Sequence, residues 1–226
     1  QVRLLLRTHD NDNLLHLLKE EAEQWDELGE FSKEEMQERM KDEQGLPSYM
    51  HEFVQAYQNE QPIHQDQSWE NQLTALYYDY ALQHSQGFLY DWLVFDRDLR
   101  NFLAAWNKRR YELRAEGQLI GQSENLEALR KSRARDFGLG TEYPYLSKLL
   151  NDLERDGLQV REKAIDRIKW NYIAEQLTFH YFTIEVVLGY LLQLDMLQRW
   201  LSLDQQAGQE RVRNFISEME QKIELT

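Results

Sequence analysis

Apolar positions along most of this chain recur every three or four residues, the spacing of one buried helix face. The clearest run starts at Trp69 and continues at positions 73, 76, 77, 80 and 81. Runs of β-branched residues are almost absent, and only three prolines and ten glycines interrupt the 226 residues. Because Leu, Glu, Gln, Arg, Lys and Ala dominate, local propensity favours helix nearly throughout. The pattern predicts an all-α fold, a multi-helix bundle.

The polar segments between the apolar runs mark where each predicted helix begins and ends. Ser32 and Glu35 match a capping box, and Pro47 lies beyond the end of the helix that this box starts. The polar segment 60–68 is the best candidate linker. The predicted helices are 11–26, 32–43, 48–59, one from 69, 88–95, 98–115, 123–133, 143–154, 160–181, 183–203 and 205–223.

Two segments echo each other 88 positions apart: Asp10 and Asn13 lie in LLLRTHDNDNLLHLLK, and Asp98 and Asn101 lie in WLVFDRDLRNFLAAWNK. An Asp at a helix start accepts hydrogen bonds from the free N–H groups of the first turn. An Asn three residues later resembles the far member of a capping box. We therefore expect all four residues to cap helix starts. Two unrelated helix starts could also have Asp and Asn three residues apart. However, both segments also contain an apolar triplet before the Asp, at 4–6 and at 92–94, which favours a repeated unit.

The echo predicts one all-helical unit over residues 1–226, built from about three degenerate repeats. The predicted division is a partial repeat 1–65, a repeat 66–156 and a repeat 157–226. The third repeat lacks the motif, because Tyr190 and Gln193 stand at the corresponding positions. Since residues 1–6 have the pattern of a helix end, we expect that the N-terminal part is missing. Repetition of this kind is typical of a helical scaffold and not of a single catalytic pocket.

Composition narrows the protein classes. The chain has no cysteine, which excludes disulfides, thiolate metal sites and cysteine nucleophiles, and fits a cytoplasmic protein. No apolar stretch reaches the ~18 residues that span a bilayer. A phosphate-binding glycine loop is also missing, so the protein is not expected to bind ATP itself. No Ser, His and Asp residues stand out as a catalytic set, so we do not expect an enzyme. We expect no cofactor.

The net charge of −14 is unevenly distributed. Residues 20–60 contain thirteen acidic and three basic residues, whereas residues 106–135 contain eight basic and four acidic residues. Solvated helix faces would explain this bias, but a basic stretch that meets an acidic partner would explain it equally well. Because the chain as a whole is acidic, nucleic acid is not the expected partner. The candidate partner contacts in the basic stretch are Arg109, Arg110, Arg114, Arg133 and Arg135.

Metal binding has one weak candidate. Asp12, His16 and Glu20 are spaced to share one helix face, as a ligand set would be. Ion pairing on an exposed face explains the same spacing. The six histidines are otherwise scattered, and the paired histidine motifs of helical zinc or di-iron sites are missing. We predict no metal site.

With these motifs, the chain resembles one family of V-type and A-type rotary ATPase components, known as the C subunit or d subunit family. The middle of the chain carries the resemblance: Tyr77 and Tyr78 stand at the family's tyrosine pair, Asp98 and Asn101 at its Asp-x-x-Asn motif. Three segments, LTALYYDYA, ARDFGLGTEYPYL and FTIEVVLGYLLQLDMLQRWLSLD, resemble more closely a bacterial family encoded beside V-type ATPase subunits. Together these resemblances cover nearly the whole chain.

The resemblance implies a non-catalytic coupling subunit of a V-type rotary ATPase, which links the central stalk to the membrane rotor ring during ion transport. The implied partners are other subunits of that complex, and the implied location is cytoplasmic, peripheral at the inner face of the membrane. The alternative is a free-standing helical interaction domain without an ATPase role. In that case, the acidic segment 20–60 would bind a basic partner.

Overall fold

A computed structural model of the chain describes residues 1–21, 25–42, 45–112, 117–155 and 157–202. Every regular element in these ranges is an α-helix, so the all-α prediction is confirmed. The helices, numbered along the chain, are α1 (Val2–Leu18), α2 (Lys33–Arg39), α3 (Ser48–Gln58), α4 (Trp69–Gln83), α5 (Phe88–Tyr111), α6 (Asn125–Lys131), α7 (Tyr145–Leu153), α8 (Leu158–Gln176) and α9 (Ile184–Ser202).

The chain divides into two compact units, residues 1–179 and residues 180–226. The first contains α1 to α8, and the second contains α9. In the first unit α4 lies at the centre of one group of helices, because α1, α3 and α5 all pack against it. The helices α6 and α8 contact α5, and α7 packs against α8. The division into three repeats stays a prediction.

Local sequence signals fix several helix starts. The Ser32 hydroxyl accepts a hydrogen bond from the Glu35 N–H and the Glu35 carboxylate accepts one from the Ser32 N–H, which is the predicted capping box. The Ser68 hydroxyl likewise accepts from the Asn71 N–H at the start of α4. α3 begins directly after Pro47, as predicted.

Both predicted ends of the first helix, 11–26, and the predicted break between residues 95 and 98 are wrong. α1 runs without interruption from Val2 through Asp10 to Leu18, so residues 2–6 belong to the same helix as Asp10, and this helix ends eight residues before the predicted end at residue 26. α5 likewise continues from Phe88 to Tyr111, with Asp98 in its middle. Its buried apolar positions 88, 89, 92, 93, 95, 99, 102, 105 and 106 form one stripe across the predicted boundary, which no proline or glycine interrupts. A continuous apolar face therefore outweighs the capping preference of a single Asp.

Among the described helices, none combines the length and the apolar character needed to cross a bilayer. The helix predicted at 205–223 lies outside the described residues.

Candidate functional site

A buried amide on α1 holds the loop that follows this helix. The Asn13 Nδ2 donates to the Asp26 carbonyl oxygen at 2.8 Å, and the Asp26 N–H donates to Asn13 Oδ1 at 2.8 Å. An asparagine side chain offers one donor group and one acceptor side by side, as a peptide group does, so it can satisfy both backbone groups of one residue. Asn13 is completely buried, and the pair of bonds fixes the loop before α2.

The corresponding residue on α5 makes the same pair of bonds. The Asn101 Nδ2 donates to the Ile120 carbonyl oxygen at 3.0 Å, and the Ile120 N–H donates to Asn101 Oδ1 at 2.9 Å. Both residues are buried. The bonds again hold the loop between a long helix and the short helix after it, here α6. We call the two pairs, Asn13 with Asp26 and Asn101 with Ile120, the amide clamps.

The aspartates of the two segments have different partners. The Asp10 Oδ1 accepts hydrogen bonds from the N–H groups of Glu30 at 2.8 Å and Phe31 at 3.2 Å, and Arg7 lies 3.6 Å from its other oxygen. Burial raises the pKa of Asp10, although these hydrogen bonds and Arg7 act in the opposite direction. Gly29 leaves room for this carboxylate, since a β-carbon there would lie 2.5 Å from Asp10 Oδ1.

Asp98 is bound by side chains instead of backbone. The Arg97 guanidinium donates to its Oδ1 from Nε at 3.1 Å and from Nη2 at 3.0 Å, and the Tyr143 hydroxyl donates to its Oδ2 at 3.3 Å. The Tyr143 hydroxyl also accepts a bond from the Asn125 amide at 2.6 Å. Burial, with Asp98 as a further cause, raises the pKa of Tyr143. Asp98 thus links α5 to the start of α6 and the segment before α7.

The prediction that Asp10, Asn13, Asp98 and Asn101 cap helix starts is therefore wrong. The N-cap positions are Gln1 for α1 and Gly87 for α5, and the four polar residues lie well inside these helices. The N–H groups around them already bond within the helix, so their side chains are free to reach backbone and side chains of later segments. The similarity of the two segments is real at the level of contacts, but it concerns loop attachment and not capping.

Two of the predicted partner-contact arginines are used within the protein. The Arg109 Nη1 and Nη2 donate to the carbonyl oxygens of Ala134 at 2.6 Å and Ser132 at 2.7 Å, and its guanidinium lies 3.9 Å from the Phe137 ring centroid. Arg135 binds Glu154 at 2.8 Å. The side chains of Arg110 and Arg133 are exposed, and Arg114 lies outside the described residues.

The weak metal candidate does not form a site. His16 pairs with Glu21, with Nδ1 to Oε2 at 3.4 Å, and His9 contacts the Asp26 carboxylate at 2.7 Å. Within the described part of the chain, no group of three His, Asp or Glu side chains is arranged to hold a metal ion.

Residues 1–223 match the family DUF2764, described as a protein of unknown function. The chain belongs to this family. No curated protein and no solved structure matches the chain.

One polar network of the DUF2764 chain was missed by sequence reasoning. The Tyr78 hydroxyl of α4 donates to Asp96 Oδ2 on α5 at 2.6 Å, and the Lys169 Nζ of α8 lies 2.6 Å from Asp96 Oδ1. Burial raises the pKa of Asp96, but Lys169 and Tyr78 outweigh burial and hold it below the usual value. The network joins three helices of the first unit. Only the tyrosine pair gave a sequence signal, because Asp96 and Lys169 are 73 residues apart.

Proposed function

We propose that this DUF2764 protein is a non-catalytic coupling subunit of a V-type rotary ATPase, which links the central stalk to the membrane rotor ring. The sequence resemblance gives the proposal its specific content. The observation that supports it most is the pair of amide clamps, because the Asn101 clamp lies in the Asp-x-x-Asn motif of the resemblance and the Asn13 clamp lies in the similar segment of α1.

The clamps suit a part that transmits force. Each connects the middle of a long helix to the backbone of a later loop through two buried or partly buried hydrogen bonds. A buried bond of this kind is costly to break without a replacement, so the loop and helix move together. The network of Tyr78, Asp96 and Lys169 adds a further connection between α4, α5 and α8. A coupling subunit needs this stiffness. If it deformed easily, rotation of the stalk would deform the subunit and would not be transmitted to the rotor ring.

Association with the ATPase tests the proposal. The full-length protein, tagged at one end and expressed from its own locus, is purified from detergent extracts, and the co-purifying proteins are identified by mass spectrometry. We expect the stalk and rotor-ring subunits among the co-purifying proteins. The proposal fails if none of these subunits co-purifies. Partners that instead disappear when the acids of segment 20–60 are neutralised would favour a free-standing interaction domain.

A further inference from the structure

A groove of about 640 Å³ crosses the first unit between α5 and α8. Seven residues of α5 line it at positions 96, 99, 100, 103, 104, 107 and 108, which is one complete helix face. Ile165 and Lys169 of α8 form part of the opposite wall, and Tyr78 and Gln118 complete the lining. The α5 face extends over twelve rises of about 1.5 Å, or about 18 Å, the length of a three-turn helix.

The floor of the groove is apolar. Leu103, Ala104 and Ile165 are all partly exposed there, and Leu99 is fully buried beneath them. An apolar floor with polar walls is the surface that an amphipathic helix covers, because its apolar stripe meets the floor and its polar flanks meet the walls. The dimensions and the pattern together favour a helix as the occupant.

The walls carry unbalanced positive charge. The groove contains three basic side chains and one acid, Asp96, which Lys169 and Tyr78 already bind. The other two cations, Arg100 and Lys108, have no carboxylate within ion-pair distance among the described residues. Arg100 donates from Nη2 to the neutral amide oxygen of Asn71, and its buried Nε has no hydrogen-bond partner in this part of the chain. The Arg100 guanidinium thus carries a charge that no carboxylate within ion-pair distance balances in the described part of the chain.

We propose that this groove seats an acidic amphipathic helix of a partner protein. The partner's apolar side chains lie on Leu103, Ala104 and Ile165, and two of its carboxylates, seven or eight residues apart, bind Arg100 and Lys108. That spacing follows because Arg100 and Lys108 are separated by eight residues, about 12 Å along α5. Nucleic acid is disfavoured, because the apolar floor of the groove has no group that would bind a phosphate. The inference goes beyond the proposed function and holds whether or not the partner belongs to an ATPase.

Site-specific photocrosslinking tests the inference. A benzophenone amino acid replaces Asn107 at the exposed edge of the groove, in the full chain and in the cells that encode it, and the crosslinked peptides are sequenced. Gln37, an exposed amide on α2, is the matched control position. We expect crosslinks from position 107 but not from position 37 to a segment with helical apolar spacing and two acids seven or eight residues apart. A crosslinked segment that is basic, lacks this pattern or belongs to a second copy of this chain overturns the inference.

A charge variant tests the role of the cation. Lys108→Gln removes an exposed charge from the groove, and Arg110→Gln removes an exposed charge two residues away that does not line it. We expect Lys108→Gln to lower the crosslink yield about twofold to fivefold, the effect of one exposed ion pair. Arg110→Gln leaves the yield unchanged. Equal yields from the two variants contradict the inference. An acidic helix from a protein outside the ATPase would support the groove assignment and contradict the proposed function, so the two can fail separately.

Discussion

Asn101→Ala removes the amide clamp on α5, and its effect can be worked out from the structure. The change deletes two hydrogen bonds, of 3.0 and 2.9 Å, to the backbone of Ile120. The Ile120 side chain is fully buried, so its N–H and C=O groups have little access to replacement water. An unsatisfied buried group costs about 1–3 kcal/mol, which gives about 2–6 kcal/mol for the pair. This is a large part of a typical folding free energy of ~5–15 kcal/mol.

Equilibrium unfolding in urea, followed by tryptophan fluorescence, measures the loss. With a typical slope of ~2 kcal/mol per molar urea, a loss of ~2 kcal/mol lowers the unfolding midpoint by about 1 M. Asn107→Ala is the matched control, because Asn107 lies on the same helix and is exposed. We expect Asn107→Ala to change the unfolding free energy by no more than about 0.5 kcal/mol. Equal midpoints for the Asn101→Ala and Asn107→Ala variants would show that the two hydrogen bonds of Asn101 do not stabilise the fold.

The second clamp provides an internal comparison. Asn13→Ala breaks two hydrogen bonds, both of 2.8 Å, to the backbone of Asp26. Asp26 lies in a partly exposed loop. Water can replace part of what is lost there, so we expect a smaller cost of about 1–2 kcal/mol. The predicted order of the two stability losses depends only on how deeply the clamped backbone is buried. A larger loss for Asn13→Ala than for Asn101→Ala would show that burial of the clamped backbone does not set the cost.

Three further outcomes follow from the buried charges. Gly29→Ala places a β-carbon 2.5 Å from Asp10 Oδ1, so we expect the unfolding free energy to fall by about 1–3 kcal/mol, and an unchanged urea midpoint would contradict the close packing. Lys169→Met removes the cation that pairs with Asp96, whose side chain is one-fifth exposed, so we expect a loss of about 1–2 kcal/mol at pH 7. Folding lowers the pKa of Asp96, so the ion pair stabilises the wild type fully only above the unfolded pKa of 3.8. As the pH falls below 3.8, the wild type should lose this stabilisation. The unfolding free energies of the wild type and of the Lys169→Met variant, plotted against pH, should therefore converge there. The pKa of Asp10 is raised by folding, so the wild type should lose stability as the pH rises above 3.8 and this carboxyl ionises. Asp10→Asn cannot ionise, so its stability relative to the wild type should increase from pH 3.8 towards pH 7. A relative stability that decreases over this range would contradict the raised pKa.

The parts of the fold that could be predicted depend on local signals. The capping box at Ser32, the helix after Pro47 and the helix from Trp69 were predicted close to where they lie. In each case the deciding contacts are made within a few residues along the chain. Helix propensity and apolar spacing report such contacts directly, which is why the all-α class was also predicted correctly.

The roles of the polar residues could not be predicted in the same way. An Asp-x-x-Asn sequence is equally compatible with a helix cap and with a helix interior that binds a distant loop. The choice depends on the loop that returns to it, and the clamped residue lies 13 positions downstream of Asn13 but 19 positions downstream of Asn101. The pairing of Asp96 with Lys169 spans still more of the chain. Only the tertiary arrangement brings these groups together, so a single sequence carries little record of them.

The proposed coupling role in a rotary ATPase can be tested by measuring ATP hydrolysis and ATP-driven ion transport together, in membrane vesicles from cells with and without the protein. A coupling subunit predicts that, without the protein, hydrolysis by the catalytic part continues while ion transport is lost. Expression of the full-length protein should restore transport. Unchanged transport and an unchanged ratio of ions moved to ATP hydrolysed, in vesicles shown to lack the protein, would contradict the account.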